Sequence, residues 1–156
     1  MKKIDLGQTL GILANLGVLA GIVFLAYELR QNTLTTQLSA TESFTAALTN
    51  IELFIVENSE FSQLLQKSIA GEAISANEQF RLDVFYRAVL RLWQTTHYQY
   101  LNAVLDEGIW DGQRQGYLST LAGDQGLQTY WRENNARYTP QFNEFIRTML
   151  EDGAIQ

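Results

Sequence analysis

One uncharged stretch near the start of the chain constrains the fold more than any other feature. No charged residue lies between Asp5 and Glu28, and most residues between them are apolar or small. About twenty such residues are enough for a helix to cross the hydrocarbon core of a bilayer. The stretch is longer than the apolar core of a secretory signal peptide, and no typical cleavage site follows it. We therefore expect a retained, single-pass transmembrane anchor at residues 1–30.

Basic residues on either side of this stretch indicate its orientation. Lys2 and Lys3 precede it, whereas Arg30 is the one basic residue that follows it closely. Because Lys and Arg accumulate on the cytoplasmic side of membrane helices, the N-terminus is expected in the cytoplasm. The soluble domain is then expected outside the cytoplasm.

Drawn as a helix with about 100° between residues, the stretch has two dissimilar faces. One is a small-residue face, which consists of Gly7, Gly11, Ala14, Val18 and Gly21 with the amides Gln8 and Asn15 at its flank. Bulky residues such as Leu16 and Phe24 occupy the other side. Small residues let membrane helices approach closely, and a buried amide can form a hydrogen bond across the contact. The small-residue face is therefore predicted to contact a second copy or another subunit's membrane helix.

Residues 31–156 are expected to form one soluble helical domain, since about 125 residues are enough to bury a core. They carry eight basic and fifteen acidic side chains, so they lack the positive charge that neutralises nucleic-acid phosphates. The chain has no cysteine, which excludes disulfides and thiolate metal ligands. Nucleic acid is therefore not expected as a partner.

The spacing of apolar residues predicts an all-α fold, because it follows helical intervals and shows no strand-like alternation. The transmembrane helix is predicted to continue into a long helix, packed in a small helical bundle, and to end near Glu57. The inward face of this long helix is predicted to contain Leu34, Leu38, Phe44, Leu48, Ile51 and Ile55.

Capping residues and glycines set the predicted ends of the later helices. Asn58, Ser75 and Thr139 are suitable N-caps, and Glu78 follows Ser75 at capping-box spacing. The predicted helices cover 59–70, 76–107, 112–122, 125–135 and the residues from 140 onward. The helix at 76–107 is predicted to end at Gly108 and to bury Phe85, Ala88, Val89, Leu92, Thr96 and Leu101. The last helix is predicted to bury Phe142, Phe145, Ile146, Met149 and Leu150.

Few residues offer sites for chemistry. His97 is the only histidine, and no metal-ligating residue lies one helical turn from it, so a structural role is predicted. The arginines Arg81, Arg87 and Arg91 either bind an anion or, in the simpler interpretation, pair with carboxylates of the chain. No catalytic, cofactor-binding or metal-binding residue is predicted, and enzyme activity is not expected.

Two further groups of residues lie near position 108. The carboxylates of Asp106, Glu107 and Asp111 lack the ligand spacing of a calcium loop and are predicted to be solvated. Trp110 follows the predicted helix end at Gly108 and is therefore predicted to be exposed and to contact a partner.

Two parts of the chain resemble a broad set of uncharacterised bacterial single-pass membrane proteins. One is the junction Tyr27-Glu28-Leu29-Arg30-Gln31-Asn32-Thr33. The other comprises Glu107-Gly108-Ile109-Trp110-Asp111, Gly126, Tyr130-Trp131 and Tyr138-Thr139-Pro140-Gln141-Phe142. The resemblance covers most of the chain and implies an N-terminal transmembrane helix, a helical C-terminal domain and a bacterial inner-membrane location. That family has no assigned activity to transfer.

The function expected from these features is protein–protein assembly in a membrane. The protein is predicted to assemble with itself or to serve as an accessory or scaffold subunit of a membrane complex. One alternative is a homo-oligomeric channel in which Gln8 and Asn15 line the pore. Another is a sensor-like domain that binds a small ligand between helices, as a buried polar cavity containing Arg87, Arg91 or His97 would indicate.

Overall fold

The computed structural model describes residues 6–153, apart from the side chains of residues 6, 8, 9, 152 and 153. Over this range the chain forms helices and contains no strand, so the all-α prediction is confirmed. The helices are α1 (Leu6–Glu57), α2 (Ser59–Ile69), α3 (Ala76–Leu101), α4 (Glu107–Gly123), α5 (Gln125–Asn134) and α6 (Pro140–Gly153). A 3₁₀ turn at Asn135–Arg137 follows α5.

The chain divides into two compact units, Met1–Ser39 and Ala40–Gln156, which we call the N-terminal unit and the helical unit. The division lies further along the chain than the predicted domain boundary after residue 30. Helix α1 continues to Glu57, as predicted. Among its described side chains, the first buried one is Ala40.

The predicted inward face of α1 is correct for only part of its length. Phe44 is buried, and Ile51 and Ile55 pack against the hydrophobic core of the helical unit. Leu34 and Leu38 are exposed, against the prediction. The 3.6-residue period shows which side chains share a face, but it does not show where along the helix that face becomes covered.

The N-caps of α2 and α3 form as the sequence predicts. The side chain of Asn58 accepts a hydrogen bond from the backbone N–H of Phe61 at 3.0 Å. Ser75 and Glu78 form a capping box, in which Glu78 Oε2 accepts from the Ser75 N–H at 2.8 Å. The Ser75 hydroxyl and N–H, together with the Lys67 ammonium, lower the pKa of Glu78 from 4.5 to about 2.

The boundary between α3 and α4 differs from the prediction. Helix α3 ends at Leu101 and α4 begins at Glu107, whereas one helix was expected to continue to Glu107. Ala103, in the left-handed region at φ 55°, ends α3, and the N–H of Val104 donates back to the Gln99 carbonyl at 2.8 Å. Asp106 starts α4, because its Oδ1 accepts hydrogen bonds from the N–H groups of Gly108 and Ile109 at 2.9 and 3.2 Å. Gly108 therefore lies in the first turn of a new helix rather than at the end of the preceding one.

The core of the helical unit draws side chains from every helix in it. Helix α6 turns the predicted residues inward, with Phe142, Ile146 and Met149 fully buried. The buried face of α3 lies beside the predicted one: Val89 and Thr96 are buried as expected, but Ala88 and Leu101 are exposed. The residues that fill this face are Leu82, Tyr86, Val89, Leu90, Trp93, Thr96 and His97.

Candidate functional site

The first surface with functional potential is the N-terminal unit's part of α1. Every described side chain from residue 10 to residue 36 is exposed, including Leu16 at 57% and Phe24 at 61%. An 18-residue window of α1 has a mean hydropathy of 2.1 and none of it is buried. By length and composition this helix is a candidate membrane span.

The small-residue face lies on this exposed helix. Gly7, Gly11, Ala14, Asn15, Val18 and Gly21 are all exposed. A Cβ atom added at Gly11 or Gly21 would meet no atom within 4 Å. The side chain of Gln8, and Lys2 and Lys3 as a whole, lie outside the described residues.

The second candidate is a half-open cavity of about 440 Å³ within the helical unit. Most of its wall is apolar and comes from α1, α2, α3 and α5, including Ile51, Ile55, Leu65, Val89, Trp93 and Leu127. Its size falls within the range of about 300–1,000 Å³ that is typical of small-molecule sites. The hydroxyl-bearing residues Ser119 and Thr120 border it from α4.

A polar cluster of Ser68, Tyr86 and Asp124 adjoins this cavity, and Tyr86 and Asp124 form part of its wall. The Tyr86 hydroxyl donates to Asp124 Oδ1 at 3.1 Å and lies 3.1 Å from Ser68 Oγ. Because a phenol has a single proton, the Ser68 hydroxyl is the donor in the second bond. Asp124 Oδ1 also accepts from the backbone N–H of Leu127 at 3.0 Å, which caps α5. The cluster thus links α2, α3 and α5.

Gly126 is required beside this cluster for steric reasons. A Cβ atom at that position would lie 2.6 Å from Ser68 Oγ and 2.7 Å from Tyr86 Oη, both too close. Burial raises the pKa of the Tyr86 phenol, so its hydroxyl remains protonated and available as a donor.

A further apolar hollow of about 450 Å³ lies at the surface of the helical unit. Phe54, Phe61 and Val84 contribute to its lining, and Phe80 is 66% exposed at its edge. The Arg81 guanidinium lies 6.0 Å from the centroid of the Phe61 ring. This arrangement is open and almost entirely apolar, and it positions no set of polar groups.

Trp110 is not a surface contact residue, which corrects the prediction. Its side chain is 4% exposed, and its ring stacks on Tyr100 with centroids 4.6 Å apart. His97 lies 5.5 Å from the same ring and stacks on Phe145 at 4.5 Å. The misplacement follows from the helix boundary, because a tryptophan in the first turn of α4 faces the bundle. Burial lowers the pKa of His97 below 6.5, so the neutral ring predominates at neutral pH.

The charged groups singled out in the sequence do not assemble into one site. Arg81 pairs with Glu60 at 3.4 Å, as the internal-pairing interpretation expects, while Arg87 and Arg91 line neither cavity described above. Asp106 serves as an N-cap. Among the described residues, no group of three or more His, Asp and Glu side chains could hold a metal ion.

The polar cluster was missed at the sequence level. Asp124 falls in the gap between the predicted helices at 112–122 and 125–135, and an Asp just before a helix is itself an N-cap signal. Its partners Tyr86 and Ser68 are distant in sequence and gave no signal. Comparisons with protein-family models, curated proteins and solved structures find no match for this chain.

Proposed function

We propose that the first part of α1 anchors this protein in a bilayer and that the protein acts through assembly with itself or with other membrane-protein subunits. The supporting observation is the full exposure of an uncharged apolar helix surface from residue 10 to residue 27. Contact of apolar surface with water costs about 25 cal/mol per Å². A bilayer around this segment removes that cost.

The small-residue face supports a helix–helix contact within the membrane. Gly11 and Gly21 leave open space beside the backbone, so a second helix can approach closely along this line. Asn15 is exposed on the flank of the same face, where its amide can form a hydrogen bond across the contact. The bulky residues on the opposite side are suited to lipid chains.

The location follows the flanking charges and the resemblance of the junction at residues 27–33. Lys2 and Lys3 before the helix favour a cytoplasmic N-terminus in a bacterial inner membrane. On this orientation the helical unit lies outside the cytoplasm.

Alkaline washing of isolated membranes tests the anchor. The wild-type protein is expected to remain in the membrane pellet, while the double variant Leu16→Asp/Phe24→Asp is expected in the supernatant. A carboxylate at the centre of a membrane helix, as at residue 16, costs roughly 3 kcal/mol, and one nearer the end, as at residue 24, costs less. Release of the wild-type protein by the wash would contradict the proposal.

A matched pair of substitutions tests the assembly. Gly21→Leu adds bulk to the small-residue face, whereas Ala20→Leu adds similar bulk to the opposite face of the same helix. Light scattering in detergent is expected to show a smaller assembly for Gly21→Leu and an unchanged one for Ala20→Leu. If both variants keep the wild-type mass, the small-residue face does not mediate assembly.

A further inference from the structure

The half-open cavity has a chemical asymmetry that membrane anchoring does not require. Most of its wall consists of aliphatic and aromatic side chains, such as Ile55, Val89 and Trp93. Its polar side-chain atoms belong to a few residues, namely Tyr86, Ser119, Thr120 and Asp124, together with the indole N–H of Trp93. A site with one polar region and otherwise apolar walls is suited to a molecule with one head group and an apolar body.

The hydrogen-bonded groups in the polar part of the wall, those of Tyr86, Thr120 and Asp124, offer acceptors to a ligand. The Tyr86 proton is used in the bond to Asp124, and the Thr120 hydroxyl donates to the Gly116 carbonyl at 2.9 Å. The oxygen atoms of both hydroxyls retain lone pairs, and the Asp124 carboxylate can only accept. A head group that donates hydrogen bonds therefore complements this wall.

The charge of the wall restricts the head group further. Asp124 is 5% exposed and carries the only carboxylate among the residues that line this cavity in the described part of the chain. No lysine or arginine is among those lining residues. An anionic head group would therefore lie next to the like charge of the buried Asp124 carboxylate, which is unfavourable.

We propose that this cavity is a binding site for a small apolar molecule with one hydrogen-bond-donating head group, a hydroxyl or an ammonium. The apolar body contacts Ile55, Val89 and Trp93, and the head group donates to Asp124 and the neighbouring hydroxyl oxygens. Binding here involves the helical unit alone and is independent of the contact made by the small-residue face.

Gly123 provides a way to block the site without disturbing the fold. It lines the cavity, and a Cβ atom there would meet no atom within 4 Å. Gly116 lies in the same helix with equally open surroundings, but it does not line the cavity. Gly123→Leu and Gly116→Leu therefore form a matched pair with the same change in composition.

The experiment titrates the full-length protein in nanodiscs with n-octanol, n-octylamine and octanoate and follows the indole N–H signals by NMR. Trp93 lines the cavity and Trp131 does not, so saturable shifts of the Trp93 signal with the alcohol and the amine are expected. Gly123→Leu is expected to weaken this binding by about tenfold or more, and Gly116→Leu to leave it unchanged. Asp124→Asn is expected to reduce amine affinity about tenfold relative to the alcohol.

Three results would overturn the assignment. The first is the absence of a saturable Trp93 shift with both donor-headed probes. The second is equal binding by Gly123→Leu and Gly116→Leu, which would locate the probes in the lipid. The third is octanoate binding as tight as n-octanol, which would exclude an acceptor-lined head-group site. Even if Asp124→Asn fails to fold, the comparison of Gly123→Leu with Gly116→Leu still shows whether the probes bind in the cavity.

Discussion

The N-terminal unit and the helical unit differ in the solvent exposure of their apolar side chains. In the N-terminal unit, leucines such as Leu16 are more than half exposed. In the helical unit, Leu82 and Leu90 are completely buried. Both regions are helical and rich in apolar residues, so neither composition nor secondary structure explains the difference.

The difference follows from how apolar residues are distributed around each helix. From residue 10 to residue 27, apolar and small side chains occur on all sides of α1, so no single neighbouring layer could cover them. Helix α6 instead carries its apolar residues on one stripe, with Phe142 and Ile146 buried. A helix that is apolar on one side can bury that side within a small bundle. A helix that is apolar on all sides can be covered only by a nonaqueous surrounding.

The strongest test of this comparison is the same substitution in each unit. Leu90→Ala is expected to lower the free energy of unfolding by about 2–5 kcal/mol, because it leaves a cavity in a well-packed core. Leu16→Ala is expected to leave the unfolding of the helical unit unchanged. Near-UV circular dichroism during chemical denaturation measures both, and similar losses in the two variants would refute the contrast.

A second pair of substitutions tests packing around the polar cluster. Gly126→Ala is expected to cost about 1–3 kcal/mol, because its Cβ would press on Ser68 Oγ and Tyr86 Oη. Gly123→Ala has open space at the last residue of α4, so it is expected to change the free energy of unfolding by less than about 0.5 kcal/mol. Thermal unfolding of the two variants should therefore shift in different directions or by clearly different amounts.

Removing one hydroxyl tests the hydrogen bonds of the cluster. Tyr86→Phe deprives Asp124 of a donor and Ser68 of an acceptor, and it is expected to cost about 1–2 kcal/mol. Tyr98→Phe is the control, because Tyr98 lies in the same helix but is exposed. Equal unfolding midpoints for the two variants in urea would show that the cluster contributes nothing to stability.

The smallest expected effect is the pH dependence due to His97. Since burial lowers its pKa in the folded state below 6.5, the unfolded chain binds more protons between that lowered pKa and 6.5. The contribution of the neutral His97 side chain to the free energy of unfolding is therefore fully present above pH 6.5. It is lost as the pH falls through the pKa that His97 has in the folded state. The difference in unfolding free energy between wild type and His97→Gln should decrease over that interval, and a constant difference would contradict the assignment.

The fold was largely predictable because its signals are local. The caps at Asn58 and Ser75 act on backbone groups three residues away, so the sequence around each position contains the whole interaction. The start of α6 follows the same rule at Thr139, whose hydroxyl accepts from the Phe142 N–H. The prediction at Gly108 was wrong because two local signals conflict there. The glycine is typical of a helix end, whereas the aspartate two residues before it is the N-cap of the next helix.

The candidate site was less predictable because its contacts are distant in sequence. Tyr86 bonds to Ser68 eighteen residues before it and to Asp124 thirty-eight residues after it. Trp110 was expected at the surface. Its burial depends on contacts with α3 and α6, which the residues next to it in the sequence do not reveal. Aromatic residues favour cores and interfaces alike, so the residue type did not decide between them.

By itself, the sequence determined that this chain is all-α, that its residues 6–27 form an uncharged apolar helix, and where most later helices start. Those properties depend on periodicity and capping, which act within one or two helical turns. Only the tertiary structure decided that the helical unit contains a cavity next to the buried hydroxyls and carboxylate of Ser68, Tyr86 and Asp124. Such a site exists only once several helices pack, because each helix supplies one part of the wall.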